Sequence, residues 1–373
     1  MKKVLALVLT LVLLLGATSA LADTIKIGGI APLTGPVSVY GLLVQAGVDL
    51  AVEEVNKNGG IAGSQVEITW MDDTHDAVEA TNVYNQLVSE GIVALVGPVT
   101  TTPTLAVATR AAADNMPMIT ASATAYDVTS AGANVFRACF LDPFQAQLMA
   151  QYAKENLKAA KVAVLYDNTN DYSIGLSDAF QAKAKELGLE VVAAESAVES
   201  DADYTPQLSK IADAEPDAVF VCYYYETAAL VLRQSVDVGL DATMMGADGW
   251  TNIEQQLVDA PELLNNAVYC DSFSPDDQSP AAQAFVKAFT EKYGKAPAGF
   301  NALGYDAAKI MLGAIEKAGT TADKQAIVDQ LKATDVDAVT GHIVFDDHND
   351  PIKSAFIKGF KDGAPVLITR IDP

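Results

Sequence analysis

The chain has 373 residues, half of them apolar, and a formal net charge of −24. This length is more than one hydrophobic core usually serves, so two domains are expected. The strong negative charge excludes nucleic acid and anionic membrane surfaces as partners, because both require a basic protein surface.

The first 22 residues predict an export signal. Lys2 and Lys3 precede an apolar run from Val4 to Leu15, and small residues mark a cleavage site near Ala22. The run is too short for a permanent membrane-spanning helix, which needs roughly 20 residues, although a retained anchor is the alternative. The mature protein is therefore expected to be periplasmic or otherwise extracytoplasmic.

Short β-branched runs alternate with helical-period segments along most of the chain. Strands are predicted at residues 25–30, 66–71, 92–96, 117–121, 135–140, 162–166, 189–194, 218–223 and 243–246. Helices are predicted between most of them, including residues 39–57, 144–157, 177–187 and 227–238. Buried strands joined by helices are typical of parallel, doubly wound sheets, so the fold class is α/β. The tail instead predicts antiparallel strands at residues 342–345, 355–359 and 366–369.

No catalytic or metal-binding constellation is present in the sequence. The three histidines, His75, His342 and His348, are scattered, and none of the common nucleophile, phosphate or zinc motifs occurs. Residues 346–350 are acidic, but their spacing does not match a calcium loop and favours a hairpin turn. We therefore expect neither an enzyme nor a bound cofactor or metal.

The cysteines also lack metal-ligand spacing. They are Cys139, Cys222 and Cys270, each in an apolar strand-like run. Buried free thiols are the favoured interpretation, and one disulfide is the alternative.

Hydroxyl-rich segments follow two predicted strands. Residues 97–104 (GPVTTTPT) come after one strand, and residues 120–124 (TASAT) come after the next. In open α/β sheets, ligands bind beyond the carboxyl ends of the strands, where helix N-termini favour an anion such as a carboxylate. These hydroxyls could instead be simple helix caps. The two segments together favour a binding site.

Several segments resemble the leucine/isoleucine/valine-binding periplasmic proteins. They are IKIG at 25–28, APLTGPVSVYG at 31–41, NGGIAG at 58–63, the acidic pair 72–73 and VGPVTTT at 96–102. The similarity runs in consistent order from about Asp23 to the C-terminus. It implies two doubly wound lobes joined by a three-crossover hinge, with lobe 1 at residues 23–142 and 272–350, and lobe 2 at 143–271 and 351–373. It also implies a monomer that delivers its ligand to the membrane permease of an ABC importer.

The resemblance implies four residues that make polar contacts with an amino acid. The hydroxyl of Thr101 and the N–H and hydroxyl of Thr124 would bind the ligand carboxylate. The main-chain carbonyl of Ser122 and the side chain of Asp248 would accept from its ammonium group. Many relatives have Glu where this chain has Asp248, which shortens the acid by one methylene. Asp248 could alternatively cap the segment after its strand.

The resemblance also implies four aromatic residues of the cleft: Tyr40, Tyr172, Tyr224 and Phe300. Phe300 could alternatively be a core residue. Strand alternation predicts that Tyr224 shares a face with Cys222, with Tyr223 and Tyr225 on the opposite face.

Two departures from the family pattern put the side-chain specificity in question. Cys222 and Tyr223 stand where relatives often have two glycines. His75 and Thr100 stand where relatives often have a disulfide. The sequence thus predicts an extracytoplasmic protein that traps an amino acid, branched-chain or otherwise apolar. The alternatives are an amide, urea or aromatic acid in the same fold, or a soluble sensor that presents its closed form to a receptor.

Overall fold

The computed structural model describes residues 24–372. The predicted export signal of residues 1–22 lies outside the described residues. Within the described span, no helix has the length and apolar character needed to cross a bilayer.

Five parallel strands form the first sheet, in the order β2-β1-β3-β4-β5. These strands are β1 to β5, at Ile25–Ala31, Val66–Asp72, Ala94–Val96, Met118–Thr120 and Val135–Arg137. The helices between them are α1 to α4, at Ser38–Lys57, Ala77–Ser89, Thr101–Ala113 and Asp127–Ser130. β1 lies inside the sheet, and Ile27 and Ile30 on it are almost fully buried. Burial on both faces explains why this strand has an apolar run rather than strict alternation.

The second sheet has seven strands, in the order β14-β13-β10-β9-β8-β6-β7, in which β13 is Ala355–Lys361 and β14 is Ala364–Ile371. Its parallel strands are β6 to β10, at Lys161–Tyr166, Glu190–Ser196, Ala218–Cys222, Thr243–Gly246 and Ala267–Asp271. Helices α5 to α8 accompany them, at Asp142–Glu155, Asp171–Glu186, Thr205–Asp213 and Tyr225–Asp237.

The next stretch of chain packs on the first sheet. It holds α9 to α11 at Pro280–Tyr293, Gly299–Ala318 and Lys324–Lys332, and the hairpin of β11 and β12 at Asp335–Ala338 and Gly341–Val344. α10 lies against α1, and Asn301 Nδ2 donates to the Leu43 carbonyl at 2.7 Å. A Cβ at Gly47 would lie 2.0 Å from the Asn301 carbonyl oxygen, so glycine is required for this close approach. We call the body around the first sheet lobe 1 and the body around the second sheet lobe 2.

The chain then returns to lobe 2 through β13 and β14, at Ala355–Lys361 and Ala364–Ile371, which pair antiparallel with each other. It thus passes between the lobes three times: between β5 and α5, between β10 and α9, and between β12 and β13.

Buried ion pairs join residues near these crossings. Arg137 Nε lies 2.5 Å from Asp350 Oδ1, and Lys358 Nζ lies 2.7 Å from Asp271 Oδ2. The predicted α/β fold of two doubly wound lobes is confirmed.

Several predicted boundaries differ from the structure, and three of these differences concern the cleft or a crossing between the lobes. α6 begins at Asp171 rather than at Ser177, because Asn170 caps it by accepting hydrogen bonds from the first-turn N–H groups. β5 ends at Arg137 rather than at Phe140, where the chain leaves the sheet for the first crossing. β8 ends at Cys222 rather than at Tyr223, because Tyr225 already begins α8.

The predicted tail strands divide between the lobes. Residues 341–344 pair with β11 on lobe 1, whereas β13 and β14 join the sheet of lobe 2. The predicted turn at residues 346–350 is confirmed: the Asp346 N–H donates to the Asp350 carbonyl at 2.9 Å, and Asp346 Oδ1 accepts from the His348 and Asp350 N–H groups.

Candidate functional site

A small cavity lies between the two lobes, with about 10 Å³ of space in which the centre of a water molecule fits. All eight residues singled out from the sequence line it: Tyr40, Thr101, Ser122, Thr124, Tyr172, Tyr224, Asp248 and Phe300. Val99, Thr100 and Gly249 complete the lining. Each of the eight is at most 6% exposed, so a ligand here would be removed from water.

The lobe 1 end of the cavity is formed by the segments after β3 and β4. Side-chain hydroxyls hold the two segments together: Ser122 Oγ donates to the Val99 carbonyl at 2.8 Å, and Thr120 Oγ1 donates to the Pro98 carbonyl at 2.6 Å. The Ser122 hydroxyl is therefore already engaged. The Thr124 hydroxyl is different, because it is buried and makes no hydrogen bond of standard geometry.

Thr101 is the first residue of α3, and Thr100 is its N-cap. The Thr100 side chain does not cap the helix. The first-turn N–H groups of α3 thus receive no cap from Thr100, and the positive end of the helix dipole lies at the cavity. A helix N-terminus and an unpaired hydroxyl together suit an anionic group.

The lobe 2 end of the cavity is centred on Asp248, in the turn after β9. Asp248 Oδ1 accepts from the Tyr172 hydroxyl at 2.9 Å and from Gln145 Nε2 at 3.1 Å. Gln145 Oε1 in turn accepts from the Asp248 N–H at 3.0 Å. Burial raises the pKa of Asp248 to about 6, and the charge of Asp271 contributes, while the two side-chain donors act in the opposite direction. At neutral pH a buried carboxylate is thus held ready for a cationic group.

Aromatic rings form the wall between these two ends. Tyr40 stacks on Phe300 with centroids 4.5 Å apart, and Tyr172 stacks on Tyr224 at 4.9 Å. The edge-on contact of Tyr40 and Tyr224, at 5.6 Å, joins the two pairs. Offset and edge-on ring pairs of this kind present a rigid apolar surface to a ligand.

Tyr40 also links the two lobes through its hydroxyl. The hydroxyl donates to the Gly249 carbonyl and accepts from the Tyr225 N–H at 3.0 Å, both on lobe 2. Tyr225 makes a second contact across the cleft, from its hydroxyl to the Pro36 carbonyl at 2.7 Å. These hydrogen bonds exist only while the lobes are together, so the structure represents a closed form.

The three consecutive tyrosines point to three different places. Tyr223 donates to the Ala197 carbonyl at 2.7 Å inside lobe 2, Tyr224 lines the cavity, and Tyr225 reaches lobe 1. The predicted alternation was wrong here, because the strand ends at Cys222 and the following residues turn into a helix.

Sequence reasoning missed Gln145, Asp142 and Gly249 as parts of the site. Gln145 and Asp142 lie in the first turn of α5, at the lobe boundary that the sequence had indicated. Gly249 follows Asp248, and a Cβ on it would lie 2.6 Å from the Tyr172 hydroxyl. The position of the first two beside a predicted lobe boundary was the one signal that the sequence offered.

His75 and Thr100 lie together at the rim of the cavity. His75 Nδ1 and Thr100 Oγ1 are joined by a 2.8 Å hydrogen bond, and the His75 ring lies edge-on to Tyr224 at 5.7 Å. A hydrogen bond therefore occupies the place where relatives often have a disulfide. The three cysteines are buried and unbonded, as the favoured interpretation predicted.

Two α/β lobes, three crossings and a cavity enclosed between the lobes define the class of bilobed solute-binding proteins. The chain belongs to the periplasmic binding protein family, whose family model matches residues 24–364. It is 34% identical to the Leu/Ile/Val-binding protein homolog 3 of Brucella melitensis, over 91% of this chain and 92% of that protein.

Solved structures of the same class superpose closely. A leucine-binding protein from Thermotoga maritima has a TM-score of 0.89 and 34% identity, covering 94% of this chain and 99% of its own. A branched-chain amino acid transporter substrate-binding protein from Streptococcus pneumoniae, solved with isoleucine, has a TM-score of 0.86 and 32% identity, covering 92% and 99%.

Proposed function

We propose that this protein traps a small apolar L-amino acid between its lobes outside the cytoplasm and presents it to the permease of an ABC importer. The observation that carries the proposal is the polarity of the closed cavity. An unpaired buried hydroxyl and a helix N-terminus lie at one end, and a buried carboxylate lies at the other. A zwitterion satisfies both ends at once.

The roles of the residues follow from this arrangement. In the open form, Thr101, Thr124 and the α3 N-terminus would capture the ligand carboxylate on lobe 1. Closure would then bring Asp248, with Tyr172 and Tyr224, over the ammonium group and the side chain. The hydroxyl of Tyr40 would hold the closed form through its hydrogen bonds to lobe 2. The protein would act as a carrier rather than as an enzyme, and as a monomer.

Most of the binding free energy must come from the polar groups at the two ends of the cavity. Burying one aliphatic side chain contributes about 1.5–3 kcal/mol, whereas micromolar binding requires about 8 kcal/mol. The remainder must come from charge-assisted hydrogen bonds in a cavity that excludes water. The apolar wall then selects among side chains without dominating the binding energy.

A thermal-shift screen tests the proposal. The mature protein would be unfolded, dialysed free of ligand, refolded and screened with the twenty amino acids, with amides, urea and aromatic acids alongside. A saturable rise in melting temperature with a few apolar L-amino acids is expected. A shift with benzoate or urea and none with any amino acid would refute the zwitterion assignment. Binding of the liganded form to a receptor, rather than to a permease, would favour a sensor.

A further inference from the structure

A second buried acid lies directly behind the site. Asp142 is fully buried in the first turn of α5, and Gln145 Nε2 donates to its Oδ1 at 3.0 Å. The same Nε2 donates to Asp248 Oδ1 at 3.1 Å. One amide therefore bridges two buried carboxyl groups, and both of its hydrogens are used.

Asp142 also touches the opposite end of the cavity. Its N–H donates to the Thr124 carbonyl at 2.9 Å. Asp142 Oδ2 and Thr124 Oγ1 are both buried without a partner of standard hydrogen-bond geometry, although the Thr124 hydroxyl lies close enough to affect the carboxyl. Asp142 is thus placed between the residue expected to bind the ligand carboxylate and the residue expected to bind its ammonium group.

We propose that Asp142 is a positioning residue that acts in its protonated form, directing the Thr124 hydroxyl toward the ligand carboxylate and, through Gln145, fixing the Asp248 carboxylate for the ammonium group. This inference rests on the proposed function. A protonated carboxyl donates to Thr124 Oγ1, which leaves the Thr124 proton free for the ligand. An ionised carboxylate accepts that proton instead and repels the ligand carboxylate.

The surroundings favour the neutral form at neutral pH. Burial raises the pKa of Asp142 to about 8, and the charge of Asp248 contributes, whereas donors on Thr124 and Gln145 and the charge of Arg137 oppose the shift. The other titratable groups that interact with Asp142 are Cys139, Tyr172, Cys222 and Tyr224. Each of these has its own pKa raised by burial, and none of the four is a cation, whereas the positive charge of Arg137 acts on Asp142.

The consequence is a ligand affinity that falls on both sides of neutral pH. On the acid side, affinity falls as Asp248 takes up a proton near its pKa of about 6. On the alkaline side, affinity falls by about tenfold for each pH unit above the Asp142 pKa of about 8, because only the protonated form binds well.

The test measures leucine affinity by titration calorimetry between about pH 5 and about pH 9. Asp142→Asn keeps the shape of a protonated carboxyl and cannot ionise, so the alkaline loss should shrink to that of the ligand's own ammonium group. Gln145→Met removes a donor that lowers the pKa of Asp248, so the acid-side midpoint should move to higher pH. Asp178→Asn, on the exposed face of α6, removes a charge far from the site and should follow the wild type.

The pH dependence of stability, measured without ligand, distinguishes the proposed role of Asp142 from a purely structural one. The folded pKa of Asp142 lies above its unfolded value, so the wild type should lose stability relative to Asp142→Asn as pH rises from about 4 to about 8. Parallel affinity profiles for the wild type and Asp142→Asn would overturn this inference and leave the proposed function intact. Failure of the wild type to bind leucine or any other amino acid would overturn both.

Discussion

Replacing Asp248 by Asn should separate ligand binding from stability. The substitution keeps the side-chain volume and removes the charge that would face the ligand ammonium group. Leaving one partner of a buried charged pair unmatched costs about 3–5 kcal/mol, which is a loss of about two to three and a half powers of ten in affinity. Phe300→Leu is the matched comparison, because it removes a stacked ring from the same cavity and costs about 0.5–1.5 kcal/mol.

The unliganded variant should be at least as stable as the wild type. Burial holds the Asp248 pKa at about 6, above its unfolded value, so its contribution to stability is present at low pH and lost as pH rises through about 6. A neutral Asn avoids this loss, which amounts to about 3 kcal/mol at neutral pH. The destabilisation is the cost of holding an ionised acid ready for a ligand.

The assay combines calorimetric titration with leucine and thermal melting without ligand, both at neutral pH. Asp178→Asn controls for the change in net charge. An affinity for Asp248→Asn within about tenfold of the wild type, or an equal loss in Phe300→Leu, would refute the assignment of Asp248 to the ammonium group.

Three further substitutions test the closed form and the hinge. Tyr40→Phe keeps the ring and removes two hydrogen bonds between the lobes, so it should weaken binding by about 1–3 kcal/mol, with a less compact liganded form in small-angle scattering. Gly249→Ala places a Cβ against the Tyr172 hydroxyl and should abolish leucine binding while the circular dichroism spectrum is retained. Lys358→Met leaves the buried Asp271 carboxylate unpaired and should lower the free energy of unfolding by about 3–5 kcal/mol in urea, a loss that a second substitution, Asp271→Asn, should partly restore.

The strands and helices that are determined by local sequence patterns were predictable from the sequence. Buried β-branched runs and helical periodicity identified most strands and helices, and the order of family landmarks identified two lobes. The boundaries that failed were those decided by one capping residue or by the point where the chain leaves a sheet. Asn170 moves the start of α6 toward the N-terminus and thereby places Tyr172 in its first turn, facing the cavity.

The residues that line the candidate site were predictable from the sequence. The buried polar residues that hold them in place were not. The lining residues lie in segments with recognisable motifs, such as the threonines after β3. Gln145 and Asp142 act through hydrogen bonds to residues far away in sequence, and no local pattern distinguishes them from ordinary residues of a helix start. The three directions taken by Tyr223 to Tyr225 depend on where β8 ends, which periodicity could not locate.

The contact between His75 and Thr100 makes the rim of the cavity independent of redox conditions. The contact is a hydrogen bond between a ring nitrogen and a hydroxyl, so it forms on folding and needs no oxidant. The three thiols are buried, and burial raises their pKa values, so they react slowly with oxidants. The binding form can therefore be reached in reducing surroundings, and dithiothreitol or a mild oxidant should leave leucine affinity unchanged.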